Sequence, residues 1–390
     1  MKETADFFDH PYYKFTKTMT SLVGQWPHQT TKELIIHRSC LFVIISLQLM
    51  PQFFAVYVYR NDFKILLDTL SPFIVDATLL VKVVNSYFHS ENLIHLLNLI
   101  KENWTIFPQS SEQRVLHYHS DLCSKASLLY LGAMYFGTFQ FATEPLQRKL
   151  LYALIDNNVT VEKVFAIPME FPSTIDMGYW YYPILLISTF FIMVFLTVVG
   201  SCDLLLFLYS EHAVGLFKAL GYAIEHLPPN DSEGNNYSFE YLKSCAAVHS
   251  RAIYFAEQVR DIYLWAFFGV IGLNTIILSI TGVQVVINKE ATEKVIKYFI
   301  FVIMQSMHLF AECYAAQRLM DASYEIKERL TSSVWYIHSL KTQRLLPLMI
   351  MRSQSPIVLT AGKMIVMNMD TYAVVLKTAA SYFTIFLAMQ

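Results

Sequence analysis

Charged residues are scarce in this sequence. Only 15% of the 390 residues are Asp, Glu, Lys or Arg, whereas 55% are hydrophobic, and the mean hydropathy is +0.39. Soluble domains carry roughly 25% charged residues, so this shortage indicates a membrane protein rather than an ordinary soluble one. The net charge of −2 argues against a nucleic-acid partner, because such a partner requires a basic surface.

Motifs that carry catalysis or bind metals are also missing. The sequence has no HExxH, no CxxC and no glycine-rich phosphate-binding loop. The segment His117-Tyr118-His119 is short and lacks further ligands. We therefore predict no metal site, no cofactor and no enzyme activity. The first 35 residues carry charge throughout and show no cleavage site, so we expect no cleaved signal peptide.

Seven stretches are long and apolar enough to cross a bilayer, which takes about 20 residues in a helix. They cover residues 39–59, 65–88, 126–146, 180–208, 262–287, 295–317 and 369–388. The fourth and sixth exceed the length of a bilayer, and we expect 204–217 and 315–320 to continue as helix outside the membrane. The predicted fold class is an all-α membrane protein with seven transmembrane helices.

The loops differ in charge between the two sides of these spans. One side carries 18 Lys and Arg residues and the other carries 8. Positive charge favours the cytosol, so we predict a cytosolic N-terminus and an extracellular C-terminus. We expect no disulfide, because every cysteine then falls in a span or on the reducing side. The sequon at Asn158 falls in an outer loop and is a candidate glycosylation site.

The C-terminal part of the chain carries a recognisable pattern. The segments that form it are 321–336 ("DASYEIKERLTSSVWY"), 351–356 ("MRSQSP"), 359–363 ("LTAGK"), 376–378 ("LKT") and 381–384 ("SYFT"). This pattern resembles the C-terminal signature of insect odorant receptors. One mild departure is Ala379-Ala380, where many relatives have a second Ser-Tyr pair.

The resemblance implies a subunit of a tetrameric cation channel that a small hydrophobic odorant opens, located in the plasma membrane of a sensory neuron dendrite. It also implies a heterotetramer with the coreceptor of the family. The coreceptor has a large insertion between its fourth and fifth spans, whereas this loop is only 226–241 here. We therefore predict the ligand-tuned subunit. A gustatory-type receptor channel and a G-protein-coupled receptor remain as alternatives, and the latter requires the opposite orientation.

We divide the chain into four parts: a cytosolic N-terminal segment at 1–38, the membrane helices with their cytosolic extensions at 39–317, a cytosolic anchor at 318–368 and a pore-lining helix at 369–390. The anchor carries too many charges to span a membrane. Its apolar residues recur every three or four positions, which predicts a helix, at Ile326, Leu330, Val334 and Ile337 or His338. Ser355-Pro356 and Ala361-Gly362 then break the helix before the last span.

Polar residues in the last span favour a pore, because polar side chains inside a membrane face protein or water rather than lipid. Two neighbouring stripes are possible, and they share Ser381. The first consists of Asp370, Lys377, Ser381 and Thr384. The second consists of Thr371, Val374, Thr378, Ser381, Ile385 and Ala388. Four symmetric lysines in a bore would repel cations, so we prefer the second stripe. Ile385 is its apolar gate. The alternative is hydrogen bonding between packed helices.

A volatile ligand calls for an apolar cavity with few polar groups, and aromatic residues and methionines supply adaptable walls. The resemblance places this cavity among the outer halves of spans two, three, four and six. The predicted ligand-binding residues are Phe73, Met134, Tyr135, Thr138, Phe139, Tyr182, Leu186, Phe190, Tyr298, Phe301 and Met304.

Four charged residues, Asp76, Lys82, Asp203 and Glu312, fall within the predicted spans. They can belong to an ion pathway, but we prefer structural pairing. For Asp203 and Glu312 we expect pairing with basic neighbours such as Arg318.

Overall fold

The structure is a computed structural model that describes residues 6–107, 110–155, 163–172, 175–228, 237–289 and 291–388. Its elements in chain order are a 3-10 helix at Phe7–Asp9, α1 (Pro11–Leu22), α2 (Thr31–Val58), α3 (Phe63–Phe88), α4 (Ser90–Asn103), α5 (Ser110–Ala142), α6 (Glu144–Ile155), α7 (Met177–Glu225), α8 (Tyr237–Ile287), α9 (Thr292–Ser332), a 3-10 helix at Trp335–Ile337, α10 (Leu340–Gln343), α11 (Leu346–Ser353), β1 (Thr360–Ala361), β2 (Ile365–Val366) and α12 (Met369–Ala388).

Among the described residues, seven helices have 20 residues or more, and they match the seven predicted spans in order, although α5 ends at Ala142, four residues before the predicted end of the third span. Four of them, α2, α7, α8 and α9, are long and apolar enough to cross a membrane by length and composition alone. The large apolar side chains on the outside of α2, such as Phe42, Met50 and Phe53, suit contact with lipid acyl chains. The predicted all-α membrane fold is confirmed.

Local sequence signals set where the long helices begin. Thr30 and Glu33 form a capping box at the start of α2, in which Glu33 accepts a hydrogen bond from the backbone N–H of Thr30 over 3.0 Å. Asp62 caps α3 by accepting from the backbone N–H groups of Lys64 and Ile65. Four residues separate the end of α2 from the start of α3, and the two helices form a hairpin.

The largest core lies where α7, α8 and α9 extend beyond the predicted spans. Tyr209, Phe217 and Phe255 are fully buried there and pack in one continuous apolar cluster. Around it, Arg318 pairs with Glu211 over 2.6 Å, and Lys218 and Arg329 both pair with Glu325. The helical extensions predicted at 204–217 and 315–320 are therefore present, and they form a packed bundle with α8.

Two histidines are enclosed in this bundle. His212 has one ring nitrogen 3.2 Å from the amide nitrogen of Asn103, and burial lowers its pKa to about 3. Burial also lowers the pKa of His249 to about 4, and the positive charge of Arg352 adds to the shift. Both rings are therefore uncharged near neutral pH.

The helical periodicity predicted for the anchor is wrong beyond Ser332. Helix α9 ends at Ser332, and Val334 and Ile337 are exposed in and beside a short 3-10 helix instead of continuing the buried stripe of Ile326 and Leu330. His338, the predicted alternative to Ile337, is buried, but it lies outside any helix. The rest of the anchor consists of the short helices α10 and α11 and a hairpin. The backbone N–H of Ser333 still bonds to the carbonyl of Arg329, after which the backbone of Ser333 becomes extended.

The hairpin of β1 and β2 closes the anchor before α12. Gly362 and Lys363 both have positive φ, at 60° and 61°, which lets the chain reverse tightly. The backbone N–H of Gly362 donates to the carbonyl of Leu264 on α8 over 2.9 Å, and a Cβ at this position would touch the ring of Phe268. Glycine at 362 thus allows the hairpin to dock against α8 and fixes where α12 begins.

Candidate ligand cavity and pore helix

An apolar cavity of about 120 Å³ lies inside the bundle, between α2, α3, α5, α7 and α9. Met134, Leu196 and Met304 form a small apolar cluster at its wall. Its polar lining consists of Gln48, Asp76, Thr78, Thr138, Gln305 and His308. An enclosed apolar space with a few polar groups is the usual form of a site for a small organic ligand.

A wider and more polar vestibule of about 380 Å³ adjoins this cavity and shares Pro72, Phe141 and Phe301 with it. It lies at the end of the bundle where the α2–α3, α6–α7 and α8–α9 connections meet. Tyr298 donates a hydrogen bond to Asp68 over 2.6 Å, and Tyr59 donates to Glu170 over 2.8 Å. The vestibule and the cavity therefore share part of their wall.

Several predicted ligand-binding residues meet at these two spaces. Met134, Thr138, Phe301 and Met304 line the cavity, and Tyr298 and Phe301 line the vestibule. Tyr135 packs against the apolar cluster at the cavity wall, and its hydroxyl lies 2.6 Å from Oγ1 of Thr197.

The other predicted ligand-binding residues lie outside both spaces, and their contact with ligand stays a prediction. Phe139, Tyr182, Leu186 and Phe190 are exposed on the surface of the bundle, and Phe73 packs its ring against Phe53. Successive residues of a helix point about 100° apart, so Thr138 faces the cavity while its neighbour Phe139 faces outward. Aromatic enrichment alone does not distinguish these two directions.

The sequence did not predict the part of the cavity that α2 forms, because no ligand contact was expected in the first span. Gln48 lines the cavity from α2, and Gln52 is buried one turn further along. The available signal was the pair of glutamines at a spacing of four in an apolar stretch, which places both on one helix face. Gly137 and His308 were also missed.

A buried cluster of charges adjoins the cavity at His308. Lys82 of α3 pairs with Asp203 of α7 and, over 2.8 Å, with Glu312 of α9. Its ammonium is also 2.7 Å from Nε2 of His308, which must accept this bond because an ammonium can only donate. Tyr130 of α5 donates to Asp203 over 2.7 Å. We call Lys82, Tyr130, Asp203, His308 and Glu312 the charge cluster.

The charge cluster corrects the expected partner of Asp203 and Glu312. Both acids pair with Lys82, whereas Arg318 pairs with Glu211. The ligand atoms of Asp203, His308 and Glu312 are close enough together to hold a metal ion. The ammonium of Lys82 contacts all three of these side chains, so the position between them is already occupied by a cation of the chain itself.

Helix α12 packs against α8 and α9 through one face only. Val375 and Ala379 are buried on that face, and the hydroxyl of Tyr372 lies 2.8 Å from that of Ser306 on α9. The opposite face is directed away from the subunit, with Val374, Ser381 and Ile385 exposed. Thr378 borders this face and donates its hydroxyl hydrogen bond to the backbone carbonyl of Val374 over 2.8 Å.

Two predicted site residues lie wholly or partly outside the described residues. Asn158 falls in the stretch 156–162. The backbone of Ala388 ends α12, but its side chain is not described.

The described fold agrees with comparisons to known proteins. The profile of the family described as 7tm Odorant receptor matches residues 62–380, and the chain belongs to this family. Odorant receptor 9a of Drosophila melanogaster is 22% identical over 344 residues, which cover 87% of this chain and 85% of that relative. Odorant receptor 10a of the same species is 22% identical over 390 residues, which cover 95% and 94%.

Solved structures show the same fold. The olfactory receptor OR5 of Machilis hrabei in complex with eugenol superposes with a TM-score of 0.80 at 15% identity, over 99% of this chain and all of that chain. The structure described without eugenol superposes with a TM-score of 0.76 at 14% identity. Membership of the odorant receptor family decides against the gustatory alternative, and the chain is a receptor rather than an enzyme.

Proposed function

We propose that this chain is the ligand-tuned subunit of a heterotetrameric, odorant-gated cation channel, which it forms with the coreceptor of its family. In this proposal it spans the plasma membrane of a sensory neuron dendrite, with a cytosolic N-terminus and an extracellular C-terminus. The divisions at 1–38, 39–317, 318–368 and 369–390 then correspond to a cytosolic segment, the membrane helices, the anchor between subunits and the pore helix. Asn158 is the proposed site of glycosylation on the outer side.

The observation that carries the proposal is the outward face of α12. On the side of α12 that faces away from its own subunit, the hydroxyls of Ser381 and Thr384 are exposed. That of Thr384 donates only within its own helix, to the carbonyl of Ser381 over 2.8 Å, and that of Ser381 has no partner among the described residues. Hydroxyl groups inside a bilayer need water or protein to bond with. A water-filled bore at the centre of a tetramer supplies water to the stripe Val374, Thr378, Ser381, Ile385 and Ala388, which makes Ile385 the narrow apolar ring.

Contacts between α9 and α12 support a route from ligand to pore. Met304 lines the cavity, and Ser306, two residues further along α9, contacts Tyr372 of α12. The side-chain carbonyl of Gln317 accepts a hydrogen bond from the backbone N–H of Met369 at the start of α12. A ligand that binds better when α9 is in its open-channel position shifts the population toward the open state.

The proposal is tested by recording from cells that express the chain with and without the coreceptor. We expect odorant-evoked cation current only with both. Single cysteines at Thr378, Ser381 and Ile385 should react with a water-soluble thiol reagent while odorant is present, and cysteines at the buried positions Val375 and Ala379 serve as matched controls. Equal reaction of the two sets of cysteines contradicts the proposal. An extracellular N-terminus or a cytosolic C-terminus contradicts it as well. Epitope tags at the two termini measure the orientation.

A further inference from the structure

Two buried polar side chains in the cavity wall have atoms that nothing in the described part of the chain satisfies. Gln48 is 2% exposed and Asp76 is 5% exposed. Nε2 of Gln48 and Oδ2 of Asp76 have no hydrogen-bond partner among the described residues. A buried polar group without a partner costs about 1–3 kcal/mol, so such groups in a cavity indicate a site that a ligand completes.

Several other polar groups nearby are already engaged. The hydroxyl of Thr78 donates to the carbonyl of Ile74 in its own helix. Lys82, one to two turns along α3 from Asp76, is held by Asp203 and Glu312 in the charge cluster. His308 is a hydrogen-bond partner of Lys82. Of the residues that line this cavity, Gln48 and Asp76 are the ones whose fully buried polar atoms lack a partner in the described part of the chain, and Thr138 and Gln305 add further polar groups to the wall.

Nε2 of Gln48 and Oδ2 of Asp76 need different hydrogen-bond partners. An amide Nε2 donates a hydrogen bond, whereas the carboxyl of Asp76 in its ionised form accepts one. A hydroxyl group can accept from the amide and donate to the carboxylate at the same time. A carbonyl or ether oxygen can only accept, an ammonium group can only donate, and a hydrocarbon does neither.

We propose that this cavity selects small, otherwise apolar molecules that carry one hydroxyl group, an alcohol or a phenol, and that Gln48 and Asp76 are the residues that recognise the hydroxyl. The inference rests on the proposed function, because it names the ligand class of that receptor site. The methionine and aromatic walls hold the carbon skeleton, and the two polar groups fix the orientation of the hydroxyl.

The test uses sets of probes that share one carbon skeleton. Benzyl alcohol is compared with benzaldehyde, benzyl methyl ether and toluene, and 1-hexanol is compared with hexanal, hexyl methyl ether and hexane. Binding is measured as thermal stabilisation of the full chain in detergent micelles over a range of probe concentrations. We expect each alcohol to bind about tenfold more tightly than the ether or aldehyde of its set. This is the gain in affinity expected when the ligand satisfies both buried polar groups instead of one.

Three variants locate the effect. Gln48→Met and Asp76→Leu keep approximate size and remove the unpaired polar atoms, so we expect both to fold and to lose the preference for alcohols. Thr78→Val is the matched control, since its hydroxyl lines the same cavity but is already bonded to Ile74. It should keep the preference.

Each outcome decides the inference. Equal or tighter binding of the aldehyde, ether or hydrocarbon by the unmodified chain overturns it, as does an absence of binding by every probe. It is also overturned if both folded variants retain the preference. Binding of the alcohols without any odorant-evoked current in cells that express the coreceptor overturns the channel function instead and leaves the ligand class supported.

Discussion

The ammonium nitrogen of Lys82 on α3 lies 2.8 Å from Oε1 of Glu312 on α9, and both side chains are almost fully buried. The same ammonium pairs with Asp203 on α7. One buried cation thus joins three helices, and it also contacts His308, which lines the ligand cavity.

Replacing Lys82 by Met should destabilise the fold strongly. The change leaves Asp203 and Glu312 buried without a cation, and breaking a buried pair in this way costs about 3–5 kcal/mol. The measurement is the thermal unfolding of the full chain in detergent. A triple variant that adds Asp203→Asn and Glu312→Gln should recover much of the loss, because it removes the unpaired charges as well.

The control for this experiment is Lys125→Met, which breaks an exposed pair with Asp121. It should leave the unfolding temperature unchanged, since exposed pairs contribute little. If Lys82→Met unfolds at the same temperature as Lys125→Met, the charge cluster does not hold the bundle together.

Replacing Gly137 by Ala should reduce sensitivity to odorant. A Cβ at position 137 would collide with the side chain of Met304, whose thioether borders the cavity and must then shift. An added methyl group in a packed site typically costs 1–3 kcal/mol, so we expect the concentration for half-maximal response to rise by about tenfold.

Gly132→Ala is the matched control on the same helix, because a Cβ there meets no atom within 4 Å. It should leave the dose–response curve in place. A similar shift for both variants would mean that the change acts through helix propensity rather than through Met304 and the cavity.

Replacing Ile385 by Ala should increase the current that flows without odorant. Ile385 lies on the outward face of α12, and a smaller apolar ring is wetted more easily. Leakage is measured in cells that express the variant with the coreceptor. Leu376→Ala, on the side of α12 that packs against the subunit core, is the control and should not raise the resting current. Unchanged leakage in Ile385→Ala would contradict its role as gate.

Acid should weaken the bundle formed by the extensions of α7, α8 and α9. Burial lowers the pKa of His212 to about 3 and that of His249 to about 4, whereas an unfolded histidine titrates near 6.5. The unfolded chain therefore binds more protons below pH 6.5. The stabilisation is complete above about pH 6.5 and declines as the pH falls toward 4, by at most about 1.4 kcal/mol per unit for each ring.

This dependence is measured by thermal unfolding between pH 7.5 and 4.5. His212→Gln should make the slope against pH shallower, whatever it does to stability at neutral pH. His226→Gln, at an exposed position, is the control and should leave the slope unchanged. An identical slope in His212→Gln would show that this ring does not contribute.

Much of the fold follows from the sequence, because it depends on properties that neighbouring residues share. Apolar stretches of bilayer length predict the long helices, and a break at Ser355-Pro356 agrees with the end of α11 at Ser353. The outward stripe of α12 is visible in its spacing alone, since 3.6 residues per turn bring Val374, Ser381 and Ile385 to one side. The C-terminal signature also predicted the family correctly.

Tertiary structure decided which side chains meet. Whether Thr138 or Phe139 faces the cavity depends on how α5 is rotated against α7 and α9, which the aromatic content of the helix does not reveal. The partner of Asp203 is 121 residues away in the sequence, and Gln48 joins the cavity only because α2 packs beside α3. Composition and periodicity are local, whereas a cavity and a buried ion pair arise from contacts between distant helices.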